Sequence, residues 1–309
     1  MNTRDLQQLN PNFVPCKKPA KRSVYSIIYY SVGIFLSLLF VLPLFYMLAA
    51  STKSVDSIAH SAGTPMMFIP DFTNMAHFFD NYAVVFGDYG LWKYALNSLL
   101  YAVIIIIFNV LVNGLAGYAL AKFHFPGKKF FNFIILFLII VPVETSIIPL
   151  YAICQNMLHL TKNAPIAAIL FPGIISIFNI FLFKQFFMSI PKEYEEAMHV
   201  DGASRVRIFF DLILPMSKPI VATVVVFTFI GVWSDYIWPT MVLPEPKGSS
   251  EWPLYPIQAA VFSIQNMGNG LEAGQMMAVL FVTTLPIFII YALAQKYIVK
   301  GFGTAGLKM

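Results

Sequence analysis

Two acidic side chains stand inside long apolar runs. Glu144 lies between Pro142 and Pro149, and Asp235 is flanked by Trp233 and Trp238. A carboxylate in hydrocarbon is costly, so it faces a polar cavity or a partner group. Both acids therefore qualify as contacts for a passing polar solute or for a gate. Both equally qualify as structural hydrogen-bond acceptors between neighbouring segments, and Asp235 could instead be hydrated at an interface. Trp233 offers a flat apolar ring beside Asp235, whereas Trp238 reads as part of an interfacial aromatic belt. Asn109, Asn113 and Asn179 could line a path or bind helices to one another.

A different chemistry, recognition of another protein, is suggested by residues 189–215. Pro191 suits the first position of a helix. Glu193, Glu195 and Glu196 follow in the first turns, where the helix dipole favours acids. Gly202 suits the left-handed residue that ends a helix, and a second helix is expected from Ser204 towards Pro215. Tyr194, Ala197 and Met198 share a face of the first helix. Val206, Phe209, Phe210 and Ile213 recur at helical spacing on the second. Phe209 and Phe210 are then expected at the bilayer edge or in the groove of a partner, a common way to recognise an amphipathic helix.

Catalytic and metal-binding motifs are missing from the sequence. It contains no G-x-x-x-x-G-K-[ST] loop, no H-E-x-x-H and no Cys/His cluster with metal spacing. Gly301, Gly303 and Gly306 have the spacing of a dinucleotide loop, but an apolar helix rather than a strand precedes them. The five histidines are scattered. Cys16 and Cys154 are expected on opposite sides of a membrane, which argues against a bridge between them.

The elements that must position these residues are membrane spans. Hydrophobic residues make up 58% of the 309 positions and charged residues 11%, against roughly a quarter charged in soluble domains. Charge-poor runs predict six spans, at about 24–50, 94–121, 130–153, 163–187, 219–242 and 275–295, in an all-α membrane protein. A polar tail, 1–23, precedes them, and a short basic tail, 300–309, follows the 24–299 membrane domain. Residues 51–92 and the Pro/Gly/Ser-rich stretch 244–274 are expected as loops on one side, and 189–218 as a loop on the other. Sixteen lysines and arginines fall on the side of the two tails and four on the opposite side. By the positive-inside rule both termini are cytoplasmic. The same distribution explains the net charge of +5 by orientation, so no nucleic-acid partner is implied.

The 189–215 stretch resembles the cytoplasmic signature loop of ABC importer permeases: Glu-Ala-Ala, three residues, Gly, nine residues, then Ile-x-Leu-Pro. Glu196, Ala197, Gly202, Leu214 and Pro215 stand at that spacing. Met198 replaces an Ala of the pattern and Leu212 an Ile, and the bulk of Met198 is expected to alter docking depth. Asp201-Gly202-Ala203 and Pro219 are similar to the carbohydrate branch. So are Asn97-Ser98-Leu99, Gly117-Tyr118-Ala119-Leu120-Ala121-Lys122-Phe123, Ile148-Pro149-Leu150-Tyr151, Trp233-Ser234-Asp235 with Pro239, and the glycine-rich end from Gly301 to Gly306. The likeness covers roughly residues 80–309 and points to the smaller permease subunit of maltose-type importers.

That resemblance implies the type I importer permease fold in the plasma (inner) membrane of a prokaryote. Its partners would be a second homologous permease, two cytoplasmic ATPases and an extracytoplasmic sugar-binding protein. This chain would bind no cofactor and would not be an enzyme, with ATP-Mg held by the ATPases. Glu196, Ala197, Met198, Asp201, Gly202, Ala203, Phe209, Leu214 and Pro215 would couple to an ATPase. Glu144, Asn113, Trp233 and Asp235 would be candidates for the sugar pathway. A permease for glycerol phosphate would favour lysines deep in the spans, which the sequence lacks. An ion-driven secondary transporter would need intramembrane acids but not the signature loop.

Overall fold

The computed structural model describes residues 24–72, 78–246, 252–266 and 270–305. The expected tail 1–23, Cys16 and Gly306 lie outside the described residues. Helices supply all the regular structure among the described residues. In hydrocarbon every backbone N–H and C=O needs an internal partner, and a helix provides it within one segment.

Four segments are long and apolar enough to cross a bilayer, and two bent helix pairs bring the number to as many as six. Span one is α1, Val24–Ala50. Span two is α2, Leu91–Lys122, a single helix of 32 residues. The third expected span is divided. Its first part, α3, covers Lys128–Ile140, and α4, Val143–Met157, turns away by 101°. The cause is Pro142: it holds the preceding Val141 in an extended conformation and cannot donate into the turn before it. Thirteen residues of α3 reach only about 20 Å at 1.5 Å per residue, short of the roughly 30 Å hydrocarbon core.

The fourth span is also interrupted, between α5, Pro165–Ile174, and α6, Ile177–Met188. The 189–218 segment forms α7, Glu193–Val200, and α8, Arg205–Met216. An 82° bend then leads into α9, Lys218–Ser234. Asp235 breaks the fifth span before α10, Ile237–Val242. The stretch expected as an irregular loop at 244–274 contains α11, Ile257–Asn266. Its inward residues Ile257, Ala260, Val261 and Ile264 follow helical spacing. The last helix, α12, runs Ala273–Ala305, past the expected span end at 295 and into the segment expected as a tail.

Span two is the hub. It packs against α6, α9, α5 and α11. Close approach needs small residues at the contacts. A Cβ on Gly117 would lie 2.7 Å from the Cβ of Phe183 and 3.0 Å from the backbone N of Lys184, and one on Gly173 would lie 2.8 Å from Ile105. Span one packs against α12 but leaves Tyr25, Phe35 and Phe40 exposed along it. Where it ends, Asn81 donates to the Ser51 and Lys53 carbonyls (both 2.9 Å), and Lys53 donates to the Met66 carbonyl (2.8 Å).

Gly117→Val should therefore destabilise the protein by about 1–3 kcal/mol through overpacking against a backbone that cannot yield. Gly231→Ala, where an added Cβ meets nothing within 4 Å, should be neutral. Thermal unfolding midpoints of the two variants in one detergent check this. Equal midpoints would mean that spans two and four do not meet at Gly117.

Candidate functional site: a signature loop clasped to span two

α7 begins just after Pro191, and its acids Glu193, Glu195 and Glu196 occupy the first turn. Its end is a left-handed turn at Gly202, φ +79°. There the Gly202 N–H donates to the His199 carbonyl (3.1 Å) and the Ala203 N–H to the Met198 carbonyl (3.0 Å). These bonds satisfy carbonyls that the helix end would otherwise leave bare. Ser204 caps the next helix by accepting from the Arg207 N–H (3.3 Å).

The signature residues divide between two directions. Glu196, Ala197, Asp201, Gly202 and Pro215 are exposed, as are Tyr194, Val200, Val206 and Phe210. Ala203 and Phe209 are buried, and Met198 and Leu214 are half-buried against the same cluster. Two expectations are corrected here. Phe209 does not face the bilayer edge or a partner: it is fully buried among Tyr118, Phe183 and Phe187 of the chain's own spans. Met198 does not share a face with Tyr194 and Ala197: it is half-buried in that same cluster, and they are exposed. On α8, Phe209 and Ile213 lie four apart on one face and point inward with Ile208, whereas Val206 and Phe210, four apart on another, stay outside.

A clasp fixes this loop to the end of α2. The ammonium group of Lys122 lies 2.7 Å from Glu195 Oε1, with the side chains only 6% and 17% exposed. Lys122 also donates to the Ile190 carbonyl (2.7 Å), and the Tyr118 hydroxyl donates to Glu195 Oε2 (3.1 Å). Arg205 places its guanidinium 4.5 Å from the Phe123 ring centroid, a cation–π contact. Sequence reasoning missed this clasp, although Tyr118 and Lys122 are four apart on one helical face and Glu195 sits in the acid-rich turn.

The expected pathway residues occupy separate places. Asn113 is fully buried and holds the break in span four. Its amide donates to the Ile174 carbonyl (3.0 Å), and its Oδ1 accepts from the Ser176 N–H (3.1 Å). Asn109 donates to the Gly173 carbonyl (3.2 Å), and Asn179 donates to Asn109 Oδ1 (2.8 Å) and Thr228 Oγ1 (3.2 Å). Trp233 is buried, stacked on Phe229, and donates to the Thr283 carbonyl (2.9 Å) of α12. Asp235 sits at the span-five break, where its Oδ1 accepts from the Trp238 N–H (3.2 Å). Trp238 in turn donates to the Ala168 carbonyl (3.0 Å). Glu144 is exposed in the turn after Pro142. α4, which contains Glu144, and α10, which follows Asp235, touch one another.

Residues 113–303 match the family described as binding-protein-dependent transport system inner membrane component. The chain belongs to that family. The family's members are permease subunits and not enzymes, and ATP hydrolysis resides on a separate subunit of such systems. The diacetylchitobiose uptake system permease protein NgcG of Streptomyces coelicolor is 30% identical over 274 residues, covering 89% of this chain and 86% of NgcG. The arabinooligosaccharides transport system permease protein AraQ of Halalkalibacterium halodurans is 28% identical, covering 89% and 93%. The sn-glycerol-3-phosphate transport system permease protein UgpE of Pectobacterium atrosepticum is 33% identical, covering 67% and 70%. A chain of a bacterial ABC transporter involved in import of the acidic polysaccharide alginate has the same fold. The TM-score is 0.71 at 22% identity, over 92% of this chain and 99% of that one. This chain is thus a multi-pass membrane permease that works within an ABC transporter complex.

Asn113→Leu removes both partners that the span-four break receives from Asn113. It should cost about 1–3 kcal/mol for each buried backbone group left unpaired, seen as a lowered unfolding midpoint in detergent. An unchanged midpoint would leave Asn113 free for a pathway role.

Proposed function

We propose that this chain is one of two permease subunits of an ATP-driven importer for a sugar or oligosaccharide. The observation that carries the reading is the exposed face of α7 and the Gly202 turn, held on a buried anchor and offering Tyr194, Ala197, Val200, Val206 and Phe210 to a partner. An apolar face this regular is suited to a protein groove. The occupant is one of two cytoplasmic ATPases, which hold ATP-Mg. A second permease completes the pathway, and an extracytoplasmic binding protein delivers the solute. Both termini are cytoplasmic, in the inner membrane of a prokaryote, because the lysines and arginines gather on the face that carries the 189–218 loop.

Closure of the ATPases draws the docked loop with it and switches the spans between inward-facing and outward-facing states. Only interactions that differ between two such states can drive the switch. Glu144 and Asp235, at the two span breaks, are the proposed pathway groups. Asn113 and Trp233 serve the packing that shapes it. The arabinooligosaccharide and diacetylchitobiose systems to which AraQ and NgcG belong support an oligosaccharide cargo. The glycerol phosphate reading has the support of UgpE, but a phosphate would call for cations within the pathway. In the described spans the lysines lie near the ends, as with Lys93, Lys122, Lys184, Lys218 and Lys296.

Affinity purification from gently solubilised native membranes tests the reading. A second permease-like chain and an ATP-binding chain should co-purify. Isolation of this chain alone, under conditions that keep other complexes intact, would overturn it. Gly202→Glu should reduce ATPase recovery about tenfold, equivalent to about 1.4 kcal/mol, while the second permease stays bound. Unchanged recovery would remove Gly202 from the docking surface.

A further inference from the structure

Span two differs from the other spans in having neither a break nor a proline. α1 contains Pro43, α12 contains Pro286, and spans three, four and five are interrupted. At 32 residues and 1.5 Å per residue, α2 reaches roughly 48 Å, long enough to touch both faces of the membrane. At its end it grips the signature loop through Tyr118, Lys122 and Phe123, as described above.

The start of α2 grips a different segment. Residues 252–256 have no regular structure, so their backbone groups must find partners elsewhere. They find them on α2. Asn97 Nδ2 donates to the carbonyls of Pro253 (2.6 Å) and Tyr255 (3.1 Å), and its Oδ1 accepts from Trp252 Nε1 (2.9 Å). The Tyr101 hydroxyl donates to the Leu254 carbonyl (2.9 Å). Ser98 Oγ accepts from the Ile257 N–H (2.7 Å), the first residue of α11. Asn97 and Ser98 are buried, and Tyr255 beneath them is 2% exposed. Five hydrogen bonds thus tie one short segment to little more than one turn of one helix.

We propose that α2 is the link that carries movement of the signature loop to the opposite face. It grips the loop through Tyr118 and Lys122 and grips segment 252–257 through Asn97, Ser98 and Tyr101. The inference rests on the proposed ATPase coupling and adds positioning residues to it. An unbroken helix transmits displacement along its length, whereas a broken span bends at its break. The two grips use different physics suited to their places. At the basic face a shielded ion pair with a tyrosine partner holds a loop that a second protein pulls. At the opposite face side-chain amide and hydroxyl groups hold mostly backbone groups, which fixes the path of the chain. Asn109 and Asn113, midway along α2, hold the span-four break, so that displacement of α2 also moves the two halves of span four.

The test is hydrogen–deuterium exchange on the purified complex with its ATPase, comparing no nucleotide with Mg-ATP plus vanadate. In the unaltered complex, exchange should change at 193–216 and at 254–266. The Lys122→Met/Glu195→Gln double variant removes both charges of the ion pair, so neither is stranded. It should keep the response at 193–216 and lose, or reduce severalfold, the response at 254–266. Ser98→Ala/Tyr101→Phe, which keeps the packing but deletes two hydrogen bonds, should do the same. A full response at 254–266 in both double variants overturns the proposal, as does an unaltered complex that responds only at 193–216. If nucleotide changes neither segment, the ATPase coupling itself fails and this inference falls with it.

Discussion

A helix that breaks inside hydrocarbon exposes carbonyls and N–H groups that no water can satisfy, and most of this fold answers that constraint. Spans three, four and five all break. The break in span four is held by three asparagines and Ser176, with Thr228 closing the network. The break in span five is held by Asp235, which caps α10. The span-five repair is local, but the span-four repair draws on α2 and α9, so that break also fixes the packing. Asn109 and Asn113 can reach span four only because Gly117 and Gly173 let the two helices come close.

The breaks also divide the spans by mechanical character. A segment with an interruption can bend there with a modest change in two or three dihedral angles. α2 has no such point, and both the signature loop and segment 252–257 are fastened to it. The signature loop consequently has two sides. Its inner side, Ile208, Phe209 and Ile213 with Met198, belongs to the membrane domain. Its outer side is free for a partner. A loop attached only by its chain ends would absorb a pull instead of passing it on.

Much of this was legible in the sequence. The charge-free run at 24–50 coincides with α1, and Pro191, the acidic first turn, Gly202 and Ser204 mark α7 and the start of α8. Span two starts at Leu91 rather than near 94: it follows the left-handed Gly90, and Lys93 sits within its first turn. The division of span three was hidden because a hydrophobic run remains hydrophobic across Pro142. The direction of Phe209 was hidden because an apolar helix face has the same pattern whether it meets a partner or the chain's own spans. α11 carried the spacing of Ile257, Ala260, Val261 and Ile264 but sat in a stretch dominated by Pro, Gly and Ser. Partners such as Asn97 and Tyr255, more than 150 residues apart, belong to tertiary structure and leave no local pattern. The same holds for the use of Asn113 as a backbone partner, which a count of polar residues in spans cannot distinguish from a pathway role.

On the proposed function, the outward face of α7 and α8 mates with an ATPase. A photo-cross-linking amino acid at Val200, 88% exposed at the end of α7, tests it most directly in native membranes. A covalent adduct with an ATP-binding chain is expected, and its loss when Gly202→Glu is introduced alongside. Adducts with lipid alone, or with a second copy of this chain, would contradict it.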